Sequence, residues 1–149
     1  MSVGHICTRY VFTVSCDADA VEAARRMREL HVGFLIVVDP ASDDREALGV
    51  VTDRDLVLEV LAKGIDPHSV TVKDFMTPDP LIVQESDELH QTLLRMRAVG
   101  VRRVAVRNQA GALVGVLSLD DVVGFLNETV RDLAGAISHE FDVERRLRE

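Results

Sequence analysis

The sequence predicts an α/β chain built from two β-α-β-β-α repeats packed sheet to sheet about a pseudo-two-fold axis. Three observations carry this expectation. The chain superposes on itself when shifted by 69 residues, and by 66 beyond a polar turn. A short apolar strand runs directly into a helical pattern twice, at Gly49–Leu56 and at Gly115–Val122. Finally, 149 residues with 47% apolar content supply a core for two small interlocked units, whereas one unit of about 60 residues is marginal alone.

The elements follow in order. Each repeat opens with a lead-in: Ile6-Cys7-Thr8 aligns with Phe75-Met76-Thr77. A brief strand is expected near residues 12–14 and again near 81–83. A helix follows, with Asp17 or Ser86 as its expected N-cap and acid in its first turn (Asp19; Asp87 and Glu88), which suits the helix dipole. Ala20, Ala24, Met27 and Leu30 in one repeat, and Leu89, Leu93, Met96 and Val99 in the other, form the expected buried stripe. His31 lies at the end of the first of these helices. Next come a fully apolar strand (34–38; 104–106), a polar turn and a second strand (48–51; 113–117), forming a hairpin. The polar turn is three residues longer in the first repeat, a change that loops tolerate. It carries Asp43-Asp44-Arg45-Glu46, read as solvated charge, as is Asp53-Arg54.

The closing helices start at Thr52 and Ser118. The first is expected to stop near Lys63-Gly64, with Pro67 beyond. Met76-Thr77-Pro78-Asp79-Pro80 reads as a stiff turn into the second repeat, which places the repeats at 1–64 and 65–149. After Val122 an apolar stripe continues at Val123, Leu126, Val130, Leu133 and Ile137, interrupted by Gly124 and Gly135. The charged end at 144–149 reads as a fraying terminus, or as part of a helix that contacts a second copy.

The repeated turn holds the candidate chemistry. Helix N-termini present backbone N–H groups at positive potential, where phosphate binds. Thr52 and Ser118 add hydroxyls there, and Asp55 and Asp121, one turn on, offer carboxylates to a ribose diol. The same letters, Thr/Ser-x-x-Asp, also spell a capping box in which the two residues serve only each other's backbone.

Composition sets limits. A net charge of −8 argues against a broad nucleic-acid footprint. No apolar run approaches the ~20 residues of a membrane span. Met1–His5 lacks the regions of a signal peptide, so a cytoplasmic protein is expected. Cys7 and Cys16 are expected to be free thiols, Cys7 as a packing residue. The five histidines lack metal-ligand spacing, and no nucleophile–base pair is visible, so neither a metal site nor an enzyme is expected.

The duplicated unit, the two Gly-apolar-apolar-Thr/Ser-x-x-Asp turns and the lead-in Val72-Lys73-Asp74-Phe75-Met76-Thr77 resemble the cystathionine β-synthase (CBS) domain family, with two tandem copies forming one Bateman module. The resemblance spans roughly residues 2–127. It implies a regulatory module that binds AMP, ADP, ATP or S-adenosylmethionine in clefts between the repeats and acts on an unknown protein. It further implies ribose contacts from Asp55 and Asp121, and ribose or phosphate contacts from Thr52 and Ser118. Adenine would be sandwiched by Ser2, Cys7, Val32 and Phe34 in the Ser118 cleft, and by Thr71, Met76 and Val101 in the Thr52 cleft. Arg102 and Arg103 stand where family members place phosphate-binding basic residues, whereas the first repeat has Gly33 and Phe34. The Ser118 cleft is therefore expected to be the stronger nucleotide site. A homodimer is expected, and the competing function is a dimerisation module with vestigial clefts that ignores nucleotide.

Overall fold

The computed structural model describes residues 1–42 and 46–148. The charged run at 43–45 lies outside them, and its neighbour Glu46 is exposed. A 3₁₀ turn at Val3–His5 precedes β1 (Thr13–Ser15), α1 (Ala20–Leu30), β2 (Phe34–Val38), β3 (Ala47–Thr52) and α2 (Asp53–Asp55). The last continues as a π-helical segment, Leu56–Leu61, and ends at Gly64 with φ of 65°. Then come α3 (Val72–Phe75), β4 (Thr77–Pro78), β5 (Ile82–Gln84), α4 (Leu89–Val99), β6 (Arg103–Arg107), β7 (Leu113–Ser118) and α5 (Leu119–Arg148).

One sheet has the order β1-β2-β3-β4 and the other β5-β6-β7. In both, a parallel pair joined through a helix is followed by an antiparallel hairpin. The repeats match down to a ladder irregularity at Val37/Val38 and at Val106/Arg107. β2 is buried on both faces, which explains its unbroken apolar run. Leu35 and Val37 face the helices of their own repeat, with Ala23, Met27 and Val60. Ile36 and Val38 meet Ala105 of β6 between the sheets, flanked by Phe34, Leu113 and Val116. This is the sheet-to-sheet arrangement that the repeat pattern predicts.

The lead-ins are exchanged. Val3 and Cys7 pack in the core of the second repeat, and Thr8 pairs with Val116 of β7. Reciprocally, Val72 and Phe75 enter the first core, and Thr77 pairs with Val50 of β3. Met76–Pro80 is therefore part strand rather than only a turn. Pro78 sits on an edge strand, where its missing N–H costs no ladder bond. The exchange also explains the two motif glycines. A Cβ at Gly115 would lie 2.6 Å from the Thr8 carbonyl oxygen, and one at Gly49 would lie 2.7 Å from that of Thr77. Each glycine admits the other repeat's lead-in.

The helix starts and stripes differ in detail from expectation. The N-caps are Asp19 and Glu88, not Asp17 and Ser86. Asp19 accepts from the Glu22 N–H at 2.7 Å and Glu88 from that of Gln91 at 2.9 Å. Ala23 is buried where Ala24 was expected, and Thr92 is buried beside a half-buried Leu93, because each inward face steps by three residues from Ala20 or Leu89 rather than by four. Val99 is exposed.

Candidate functional site

The strand-to-helix turn between β7 and α5 forms the floor of a cleft of about 280 Å³. Its floor and one side are Ser118, Asp121, Val116, Arg103 and Thr8. The other side comes from the first repeat, through His31, Val32, Gly33 and Phe34. The mostly apolar strand β7 ends at Ser118, where the chain passes into the first turn of α5.

A tight network fixes the Asp121 carboxylate. The Ser118 backbone N–H and hydroxyl both donate to its Oδ2, at 2.8 and 2.6 Å, and the Asp121 N–H donates to Ser118 Oγ at 3.1 Å. Asp121 Oδ1 receives only a long contact of 3.5 Å from the Thr8 hydroxyl. One carboxylate oxygen thus orients the group, while the other retains acceptor capacity toward the cleft. The Leu119 N–H is also engaged, by the Arg102 carbonyl at 3.0 Å. The N–H groups of Ser118, Leu119 and Asp121 therefore all have protein partners. Beside them, Arg103 is a side-chain cation that lines the cleft.

Arg103 and Arg102 have a carboxylate neighbour. Arg103 places its guanidinium carbon 5.8 Å from the Phe34 ring centroid, and its amine lies 3.9 Å from Asp120. Arg102 lies 3.6 Å from the same carboxylate and is three-quarters exposed. Arg103 lines the cleft; the side chain of Arg102 does not. Arg103 and Phe34 occupy equivalent positions in the two repeats, so the pseudo-symmetry itself brings guanidinium and ring together.

Two other residues implied for this cleft lie elsewhere. Ser2 makes a hydrogen bond to His5 Nδ1 at 2.7 Å and pairs with Glu88. Cys7 is buried against Gly115, behind the floor. Burial pushes its thiol pKa up, against the pull of nearby Arg9. Thr8 and His31 line the cleft without having been picked out as site residues. A signal existed for both. Thr8 repeats as Thr77, and His31 adopts φ of 55° where the second repeat uses Gly100.

The turn from β3 to α2 has the same backbone. The Thr52 N–H donates to Asp55 Oδ2 at 2.8 Å, and the Asp55 N–H to Thr52 Oγ1 at 3.2 Å. Its surroundings differ. Asp53 Oδ2 would lie 2.6 Å from a Cβ on Gly33, so a carboxylate stands over the position that is Arg102 in the other repeat. The implied partners are scattered. Thr71 closes its own capping box with Asp74, Met76 packs on Gly49, and Val101 packs against the second core. Among the described residues no group of three or more His, Cys, Asp or Glu side chains could hold a metal ion, and no helix is long and apolar enough to cross a membrane.

Two repeats with exchanged lead-ins and a cleft floored by a hydroxyl-x-x-Asp turn define a tandem two-repeat module. The chain belongs to the CBS domain family, whose model matches residues 3–62 and 72–128. It is 32% identical over 123 residues to an uncharacterised protein of Methanopyrus kandleri, covering 83% of this chain and 61% of that protein, so it spans less than two thirds of that relative. It is 36% identical to the uncharacterised protein YlbB of Bacillus subtilis, covering 77% and 74% of the two chains. Among solved structures, a CBS domain protein of Pyrobaculum aerophilum complexed with AMP matches with a TM-score of 0.72 at 26% identity, covering 81% of this chain and 89% of that one.

Proposed function

We propose that this chain is a non-catalytic regulatory module that binds an adenosine-containing nucleotide in the Ser118/Asp121 cleft. The supporting observation is the convergence there of an oriented carboxylate with a spare oxygen, an apolar wall and a guanidinium. Asp121 Oδ1 accepts from the ribose diol. Val32 and Phe34 cover the purine, and Arg103 meets phosphate through its fork of donors. AMP is the ligand favoured among AMP, ADP, ATP and S-adenosylmethionine, because the cleft is small and Arg103 is the cation lining it. The Thr52/Asp55 turn, with Asp53 above it, takes a less charged adenosyl ligand or none. The regulated target is a separate protein, and the module works as a homodimer.

The test is a thermal-melt series on protein stripped of carried-over nucleotide, with AMP, ADP, ATP, S-adenosylmethionine and NAD. AMP at ~100 times its Kd adds about 2.7 kcal/mol of stability, a rise of several degrees. The rise disappears in Asp121→Ala and survives in Asp55→Ala. A melt indifferent to every ligand moves the function to nucleotide-independent assembly, with both turns reduced to capping boxes.

A further inference from the structure

The C-terminal helix carries a surface that the cleft does not account for. α5 runs for 30 residues, about 45 Å; it is anchored at its start through Val122 in the second core, and Phe125 and Thr129 are part-buried further along. Beyond it, Val123, Leu126, Val130, Leu133 and Ile137 are each more than half exposed, at 64, 54, 62, 61 and 56%. Helices gain most of their stability in proteins by burying an apolar face. Among the described residues this face meets nothing that buries it. Gly124 and Gly135 add a cost of about 1 kcal/mol each to an exposed helix. The stripe therefore needs a cover from outside the chain.

The pattern says what that cover is. Val123, Val130 and Ile137 recur every seven residues and are β-branched; Leu126 and Leu133 fall between them at the second seam position. β-branched residues at the first seam position with leucine at the second favour a parallel two-stranded coiled coil. The flanking positions are Asn127, Thr129, Ala134 and Ala136, all uncharged, so two copies bring no like charges together along the seam. Charge lies on the outside instead, at Glu128, Arg131 and Asp132. Both glycines are also off the seam. The stripe exposes roughly 500 Å² of apolar surface, at the upper end of what monomers leave uncovered. Doubled by pairing, about 1,000 Å² meets the lower threshold for a specific interface. We propose that two copies of this chain associate through α5 as a parallel, in-register two-stranded coiled coil seamed by residues 123–137. This specifies the dimer face and does not depend on what the cleft binds.

The test uses the full chain in sedimentation at micromolar concentrations, with three variants. Wild type sediments as a dimer. Leu133→Asp puts two unpaired carboxylates in the seam and weakens the dimer by ~100-fold or more while leaving the melt of the globular part in place. Leu61→Asp, on the separate exposed apolar face of the π-helical segment, leaves the dimer intact. Under mild oxidation Leu133→Cys cross-links to its counterpart, since parallel seam positions face each other and native Cys7 and Cys16 are buried. A monomeric wild type, a dimer that survives Leu133→Asp but breaks in Leu61→Asp, or cross-linking that requires Val123→Cys together with Leu133→Cys (an antiparallel pairing) overturns the proposal.

Discussion

The two strand-to-helix turns share one backbone and differ in what stands over it. Both close a hydroxyl–carboxylate ring, and both donate the N–H that follows the hydroxyl residue to a carbonyl of the preceding strand's approach, Arg102 or Gly33. Beside Ser118 lie Arg103 and a phenyl ring, with the side chain of Arg102 outside the cleft. Above Thr52 lies the carboxylate of Asp53, facing a glycine. A duplicated fold thus reproduces the floor of a site almost for free, since the turn geometry follows from local capping. What it does not reproduce is the electrostatic potential, because exchanges such as Gly33 for Arg102 and Asp53 for Leu119 invert it without moving the backbone.

The largest expected effect tests whether the turns are equivalent below the floor. Gly115→Ala forces a Cβ to within 2.6 Å of the Thr8 carbonyl, and Gly49→Ala meets both Met76 Sδ and the Thr77 carbonyl. Each loses about 2–3 kcal/mol and roughly 5–10 °C in Tm, measured by calorimetry. A marked inequality between them means that the two lead-ins are not held alike. Next, the difference in charge is tested by titrating AMP. Arg103→Ala weakens binding about 10-fold, the worth of a charge-assisted contact on a half-exposed arginine. Asp120→Asn strengthens it several-fold by freeing both arginines. If Asp120→Asn has no effect, the ion pairs do not compete with ligand.

The smallest effect compares the caps of α1 and α4. Asp19 has its carboxyl pKa held below the ordinary value by the Glu22 N–H and by His68, and Glu88 by the Gln91 and His90 N–H groups. A depressed folded-state pKa contributes stability above the unfolded value and loses it as pH falls through the folded one. Tm therefore falls below about pH 4, and Asp19→Asn, which keeps a capping acceptor, shallows that acid limb slightly. An unchanged limb in Asp19→Asn assigns it to other carboxylates.

Much of this molecule was legible in the residues, but unevenly. The strand Phe34–Val38 could be read because burial on both faces leaves an unbroken apolar run, and Ala47–Thr52 because its alternating burial keeps apolar residues up to the hydroxyl turn. The cap positions missed by two residues, since Asp17 and Asp19 both offer a carboxylate and only the observed turn of the chain selects one. At the site, the local pair Ser118 and Asp121 was readable from a three-residue spacing. Thr8 was readable as a repeated position, aligned with Thr77, but its contact with Asp121, 113 residues away, was not. Cys7 was readable as a packing residue from its alignment with Met76, yet that alignment gave no hint that it packs beneath the opposite repeat's turn.

By itself, then, the sequence determined the repeat, through its alignment with itself, and the element types, the hydroxyl–carboxylate turns and the apolar stripe of α5, which arise from spacings shorter than a helix. Tertiary structure alone decided the exchange of the lead-ins, the seating of Arg103 over Phe34 and the placement of Asp120 against both arginines. These depend on segments of the two repeats converging in space. Periodicity states which face of an element is buried, but not which distant element buries it.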